Sequence, residues 1–113
     1  MGHLKIDYVE FSTSDVAASK GFLAKAFGWD FADYGPGYQA FVNAGLGGGL
    51  DGGAQTPAGT SLVILKADDL EAAQAQVESA GGTVTVPIFS FPGGRRFHFS
   101  APGGLTLAVW SEV

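Results

Sequence analysis

Two side chains in this sequence, Glu10 and His98, are of the types that carry protons to and from a bound molecule, and both stand in alternating apolar stretches. A carboxylate and an imidazole on one surface can work as acid and base, or form the polar centre of a binding pocket. His98 belongs to FHFSAPGGLTLAVW, residues 97–110, where two alternating runs flank Ala101-Pro102-Gly103-Gly104 and predict a hairpin. Alternation gives that hairpin two faces. Phe97, Phe99, Leu105, Leu107 and Val109 share one and are expected to pack into a core. Arg96, His98, Thr106, Ala108 and Trp110 share the other, which offers a cation, an imidazole, a hydroxyl and an indole.

The same period places further residues on that second kind of face. In LKIDYVEFST (4–13), Tyr8, Glu10 and Ser12 oppose Val9 and Phe11; in SLVILKA (61–67), Leu62, Ile64 and Lys66 oppose Val63 and Leu65. A lone histidine is more often a hydrogen-bonded structural residue, and Arg95-Arg96 alone would read as a solvated pair. Convergence argues for more: Tyr8, Glu10, Arg96, His98 and Trp110 come from separate segments yet are expected to line one concavity. Other constellations carry less. Ser90 and Ser100 lack a nucleophile elbow, and GLGGGLDGG is followed by neither a lysine-serine pair nor a helical pattern, which excludes a phosphate-cradling loop. Asp68-Asp69 reads as a helix cap, and Asp30 and Asp33 as strand-edge solvation.

The elements that must position these residues are legible in the spacing. Ser14-Asp15 caps VAASKGFLAKAFG, which sets Val16, Leu23, Ala26 and Phe27 along a helical stripe ending at Gly28. WDFADY (29–34), YQAFVN (38–43) and GGGL (47–50) follow as strands. After SLVILKA, Asp68-Asp69 caps LEAAQAQVESAG, with Leu70, Ala73, Val77 and Ala80 on one face before Gly81-Gly82; TVTVPIF, RRFHFS and LTLAVW complete the chain. Pro87 and Pro92 place IFSF on an edge or irregular stretch.

The second half repeats the first. Ser14 to Asp68, Asp15 to Asp69, Val16 to Leu70 and Gly28 to Gly82 are each 54 residues apart, and Gly48-Gly49-Leu50 aligns with Gly103-Gly104-Leu105 at an offset of 55. The fold class is therefore α+β: two tandem βαβββ modules, with mostly antiparallel sheets curling around a central cavity and helices outside. Module one covers 1–52, a connector 53–60 and module two 61–113, within a single domain of 113 residues.

Composition narrows the function classes. Net charge is −5 and the six basic residues form no stripe, so nucleic acid and anionic membranes are poor partners. The absence of cysteine excludes disulfides, thiolate metal sites and a cysteine nucleophile. No apolar run approaches ~18 residues and no signal-peptide core stands at the N-terminus, so a cytoplasmic protein is expected. Glycine, 18 of 113 residues, is well above the usual ~7% and clusters where turns and helix ends are expected. Apolar residues make up 46% and charged ones only 15%, which favours burial of surface in a homodimer.

The duplicated βαβββ plan resembles the vicinal oxygen chelate superfamily, which includes glyoxalase I, bleomycin-resistance proteins and extradiol dioxygenases. Asp15-Val16-x-x-Ser19-x-x-Phe22-Leu23-x-x-x-Phe27-Gly28 is similar to that superfamily's D-[LV]-x-x-S-x-x-F-Y-x-x-x-L-G helix, with leucine at the usual tyrosine. YVEF, PGGRRFHF and LAVW look closer still to its small glyoxalase-like members. The resemblance implies where a divalent ion would be held in the metal-dependent members: seven residues before each helix-capping aspartate, and four past the last glycine of the turn before the closing strand. Those positions are Tyr8, Leu62 and Ala108. A phenol is a poor ligand at neutral pH and the other two cannot coordinate, so the resemblance implies a vestigial metal site and no cofactor.

Three functions follow as expectations. The first is a binding module of the bleomycin-resistance kind, holding a small apolar or aromatic molecule against Tyr8, Glu10, Leu62, Ile64, Arg96, His98, Thr106 and Trp110. The second is a metal-independent lyase- or isomerase-like enzyme with Glu10 and His98 as acid and base. The third is a structural or interaction module whose cavity is filled by side chains.

Overall fold

The computed structural model describes residues 2–53 and 56–113; Met1 and, within the expected connector, Ala54 and Gln55 lie outside the described residues. The element order is β1 (Lys5–Ser12), α1 (Val16–Phe27), β2 (Asp30–Asp33), β3 (Tyr38–Val42), β4 (Gly47–Asp51), β5 (Ser61–Lys66), α2 (Leu70–Ser79), β6 (Thr83–Phe91), β7 (Gly94–Ala101) and β8 (Leu105–Ser111). This is βαβββ written twice. The chain forms two compact units: Tyr8–Leu62, and Val63–Val113 together with the N-terminal residues up to Asp7. No helix of the described residues is long and apolar enough to cross a membrane.

In the first unit the strand order is β2-β3-β4-β1. β3 is antiparallel to both neighbours, while β1 runs parallel to β4 with Tyr8 opposite Gly47 and Glu10 opposite Gly49. The crossover that a parallel pair needs is supplied by α1 and the β2–β3 hairpin. Asp15 caps α1 by accepting from the Ala18 N–H at 2.9 Å, and Gly28 closes it in the left-handed conformation at φ 74°. α1 lies against β3 and β4. The core beneath it consists of Val16, Phe41 and Leu50, with Phe11 and Trp29 ring centroids 5.7 and 5.0 Å from that of Phe41. Of the predicted helical stripe only Val16 is buried, and Phe27 stays 64% exposed. Phe41 and Trp29 fill the sheet side with their own rings, so the helix has less apolar surface to cover.

In the second unit the order is β5-β8-β7-β6, with β5 parallel to β8 and the remaining pairs antiparallel. The predicted hairpin forms around Pro102-Gly103-Gly104, where both glycines take positive φ. Asp69 caps α2 through the Ala72 N–H at 3.0 Å. The helix stops at Ser79, and Gly81 rather than Gly82 takes the left-handed turn, so the repeat loses register at this end. α2 packs on β6, β7 and β8. Leu70, Ala73, Phe97, Phe99, Val109 and Ala67 form the core, with Leu4, Leu65, Val77 and Leu107 against it. Leu105 was expected there and is instead 57% exposed, because it opens β8 beside the turn, beyond the reach of α2. β6 pairs with β7 through two register shifts between Val84 and Phe89, the irregularity that Pro87 predicts.

The pairing also corrects the glycine alignment of the two halves. Gly48-Gly49-Leu50 lies inside β4, whereas Gly103-Gly104 is the turn before β8. By strand register, Glu10 faces Gly49 and Ile64 faces Ala108, so the counterpart of Gly49 is Ala108.

Candidate functional site

In the first unit, Lys20 of α1 reaches Gln39, which places Gln39 and Phe41 on the helix side of β3 and Tyr38 on the opposite side. Gln39, although buried, is satisfied: its amide donates to Asp33 Oδ1 at 2.6 Å and to the Gly35 carbonyl at 2.9 Å. Asp33 thus belongs to a turn-holding cluster rather than to a solvated edge. The Gly35 N–H and then the Gln39 amide hold its carboxyl below the ordinary carboxylate range.

On the helix-free side, Tyr8, Glu10 and Tyr38 come together. The Tyr38 hydroxyl donates to Glu10 Oε2 at 2.9 Å, and its oxygen lies 2.7 Å from that of Tyr8. Glu10 is only 7% exposed. Burial, then the Glu10 charge, then the Tyr8 contact push the Tyr38 phenol far above its ordinary range, so it remains a protonated donor. Gly49 makes this arrangement possible: a Cβ there would run into the Tyr38 ring. Sequence reasoning named Tyr8 and Glu10 but missed Tyr38. The available signal was the Gly47-Gly48-Gly49 strand, which leaves space that side chains of a neighbouring strand must fill. Leu62, at the end of this unit, is half-buried.

In the second unit, Arg96, His98, Ala108 and Trp110 share the helix-free face, as alternation predicts. His98 pairs across the sheet with Val86 and Ala108, and Ala108 with Ile64; Ala108 and Ile64 are buried. The Arg96 guanidinium lies over the rings of Phe89 and Phe91 at 5.6 and 5.9 Å, and the His98 ring is 5.9 Å from that of Phe89. Trp110 is more than an apolar wall. Its indole N–H donates to Asp7 Oδ2 at 2.9 Å, and the Lys66 ammonium sits 5.1 Å from its ring centre. Asp7 was not singled out from the sequence, since alternation groups it with Val9 and Phe11. Thr106 is exposed near the start of β8, opposite Ser100. Arg95 turns away to a structural role, bonding Glu71 in a two-pronged pair at 2.6 and 3.1 Å and the Val113 carbonyl at 3.0 Å. An open groove of about 530 Å³ is lined by Asp7 and Lys66, the partners of Trp110, and by Asp68, Asp69 and Gln76 among others, but by none of Tyr8, Glu10, Leu62, Ile64, Arg96, His98, Thr106 and Trp110.

The residues at the implied metal positions do not fit a divalent ion. The Tyr8 hydroxyl is engaged with Tyr38, Leu62 and Ala108 carry only hydrocarbon, and Gly49, the counterpart of Ala108, faces the Tyr38 ring. That donor set supplies one neutral phenol where about three protein ligands are needed. Among the described residues, no group of three or more His, Cys, Asp or Glu is placed to hold a metal.

Comparison with known proteins gives the fold its relatives. The manganese-bound glyoxalase from Novosphingobium aromaticivorans matches with 28% identity and a TM-score of 0.70 over 96% of this chain. The match covers 39% of that longer protein. A glyoxalase/bleomycin resistance protein/dioxygenase superfamily member from Vibrio splendidus 12B01 matches at 17% identity and TM-score 0.66, covering 96% of this chain and 98% of its own. Methylmalonyl-CoA epimerase from Mycobacterium tuberculosis matches at 12% identity and TM-score 0.68, covering 94% and 86%. At those last two identities the likeness concerns the fold alone. No curated protein sequence matches the chain. Residues 5–109 match the family model of the Glyoxalase/Bleomycin resistance protein/Dioxygenase superfamily, and the chain belongs to that superfamily.

Proposed function

We propose that this protein binds a small apolar or aromatic molecule without a metal on the helix-free faces of its sheets, where the first unit offers Glu10 as a polar anchor and the second offers His98 as a polar anchor and Trp110 as an aromatic contact. The observation that carries this reading is Glu10, a nearly buried carboxylate held by the Tyr38 hydroxyl on the side of the sheet away from the helix-packed core. Burying a carboxylate costs several kcal/mol before its hydrogen bonds are counted. A fold that needed only packing would place an apolar side chain there, as Ile64 stands at the matching position of the second unit.

Native mass spectrometry of the purified protein identifies a retained molecule, and titration of that molecule into Glu10→Gln and His98→Ala variants tests the site. The expected result is binding weakened about tenfold or more in each variant with a small change in melting temperature. Sharply lowered stability in both, with affinity unchanged, would mean that each residue is structural and that the third, side-chain-filled reading holds. Elemental analysis addresses the metal: near-equimolar Zn, Ni, Fe or Mn surviving dialysis would contradict a metal-free site.

A second reading, a metal-independent lyase or isomerase, is favoured by the burial of the same carboxylate, since desolvated carboxylates are common proton acceptors in active sites. Turnover of a small-carbonyl and aromatic metabolite panel under chelator, lost in Glu10→Gln, separates catalysis from binding. Self-association into a homodimer belongs to the same proposal. The terminal strands β2 and β6 and the 63% exposed Phe22 offer surface that a second copy would cover. Multi-angle light scattering is expected to give twice 11.6 kDa, and the monomer mass at every concentration would refute it.

A further inference from the structure

We infer that a second copy of this chain docks on the outer face of α1, the two helices crossing antiparallel at Gly21. This rests on the reading that the chain self-associates, and it names the surface and the symmetry of the contact.

One side of α1 faces its sheet: Val16 is buried, and Lys20 reaches back to Gln39 on β3. A period of 3.6 residues puts Ala17, Gly21 and Lys25 in one row away from Val16, with Ala18 and Phe22 alongside. All five are exposed. α2 turns a different surface outward, with Glu71, Glu78 and Ser79 exposed, as the back of a surface helix ordinarily is. The back of α1 offers hydrocarbon, a glycine and one ammonium instead. Phe22 is 63% exposed, and Phe27, 64% exposed, meets it edge-to-face at 6.1 Å.

Gly21 points to what covers this face. Inside a helix, glycine is weaker than alanine. Nothing within the chain requires it: its φ is not positive, and a Cβ built there would meet no atom within 4 Å. Gly48 and Gly49 differ, since a neighbouring ring fills the space at each. What an exposed helical glycine permits is close approach by the backbone of another molecule. A second α1 has the matching surface. With a two-fold axis through Gly21, glycine meets glycine, and residues equidistant from it oppose each other. The Lys25 stem then lies over Ala17 of the second copy, and its ammonium reaches the exposed Asp15 carboxylate that starts that helix. Symmetry makes this ion pair twice. The Phe22 and Phe27 rings alone expose roughly 250 Å² per copy, about a third of the ~800 Å² that each side of a standard interface buries. With the rest of the helix, the contact falls at the low end of that range, so a dissociation constant of about micromolar is expected.

The chain has no cysteine, so a single introduced one reports on the contact. Gly21→Cys places a thiol on the two-fold axis, where the chain itself leaves open space, and Glu78→Cys on α2 is the control. Under mild oxidation at tens of micromolar protein, Gly21→Cys should form disulfide-linked dimers at least ~tenfold faster than Glu78→Cys. Phe22→Lys, at an exposed position and with a good helix former, keeps the fold, which circular dichroism checks. Sedimentation equilibrium should show its dimerisation weakened about a hundredfold, because two buried rings are lost and two charges take their place. A dimer unchanged by Phe22→Lys would overturn the assignment to α1 and leave self-association to the strand edges. Equal linking rates for the two cysteines would overturn the crossing at Gly21. A wild-type mass of 11.6 kDa at every concentration, with no linking of Gly21→Cys, would overturn self-association itself and leave the face to a different partner.

Discussion

β4 and β8 occupy matching places in the two units, each parallel to its unit's first strand, yet one is nearly bare and the other is filled. Gly48 and Gly49 stand in β4 where β8 carries Leu107 and Ala108. On one side of β4 the Phe41 ring occupies the space at Gly48, and on the other the Tyr38 ring occupies the space at Gly49. Side chains from β3 thus replace those that β4 lacks. The consequences differ by face. On the helix side, α1 buries only Val16 and leaves Phe22 and Phe27 exposed, whereas α2 buries Leu70 and Ala73 over Phe97, Phe99 and Val109. On the helix-free side, the bare strand admits a phenol that reaches Glu10. The comparison shows how one architecture can put its packing energy into one module and a buried polar chain into the other.

Four substitutions break or sharpen this contrast. Phe97 is fully buried, so Phe97→Ala should cost about 3–5 kcal/mol in urea unfolding, the largest effect expected. Gly48→Ala tests the other unit's dependence on a missing side chain. Its Cβ would meet both the Phe41 ring and the Val9 carbonyl, and because the carbonyl is backbone the strand itself must shift. A loss of about 3 kcal/mol, the upper range of overpacking, is expected in the same assay, and a neutral result would show that β4 tolerates filling. Tyr38→Phe removes one donor from the Glu10 carboxylate without altering the ring, and should cost about 1.5 kcal/mol. A wild-type unfolding midpoint would mean that the tyrosine chain contributes nothing to the first unit's stability.

The smallest effect belongs to the surface of the second unit. The Arg95 hydrogen bond holds the Glu71 carboxyl below its ordinary value of 4.5. A lowered folded-state value means that the contribution is fully present above about pH 4.5 and fades as pH falls through the folded value. Glu71→Gln should therefore flatten the acid limb of the stability profile slightly and change nothing at neutral pH that salt does not also change, because both side chains face solvent. A melting temperature that drops sharply at high salt and neutral pH would show that the clamp near the C-terminus matters more than its exposure implies.

What the sequence by itself determined was the order of elements, the helix caps and the side of each strand. Asp15 and Asp69 cap their helices as spacing predicts, since a cap is a contact over three residues. Alternation correctly separated Phe97 and Phe99 from Arg96 and His98, because a strand's two faces depend only on parity. Burial along one face was not legible in the same way: Leu105 and Val109 share parity, yet one is exposed and the other buried according to where α2 ends. Likewise, the alignment of Gly48-Gly49 with Gly103-Gly104 followed composition, while the true counterpart of Gly49, Ala108, emerged only from pairing across the parallel strands. Tyr38 and Asp7 became partners of Glu10 and Trp110 for the same reason. Their hydrogen bonds join residues 28 and 103 positions apart, and only the tertiary structure of each unit brings such groups within 3 Å.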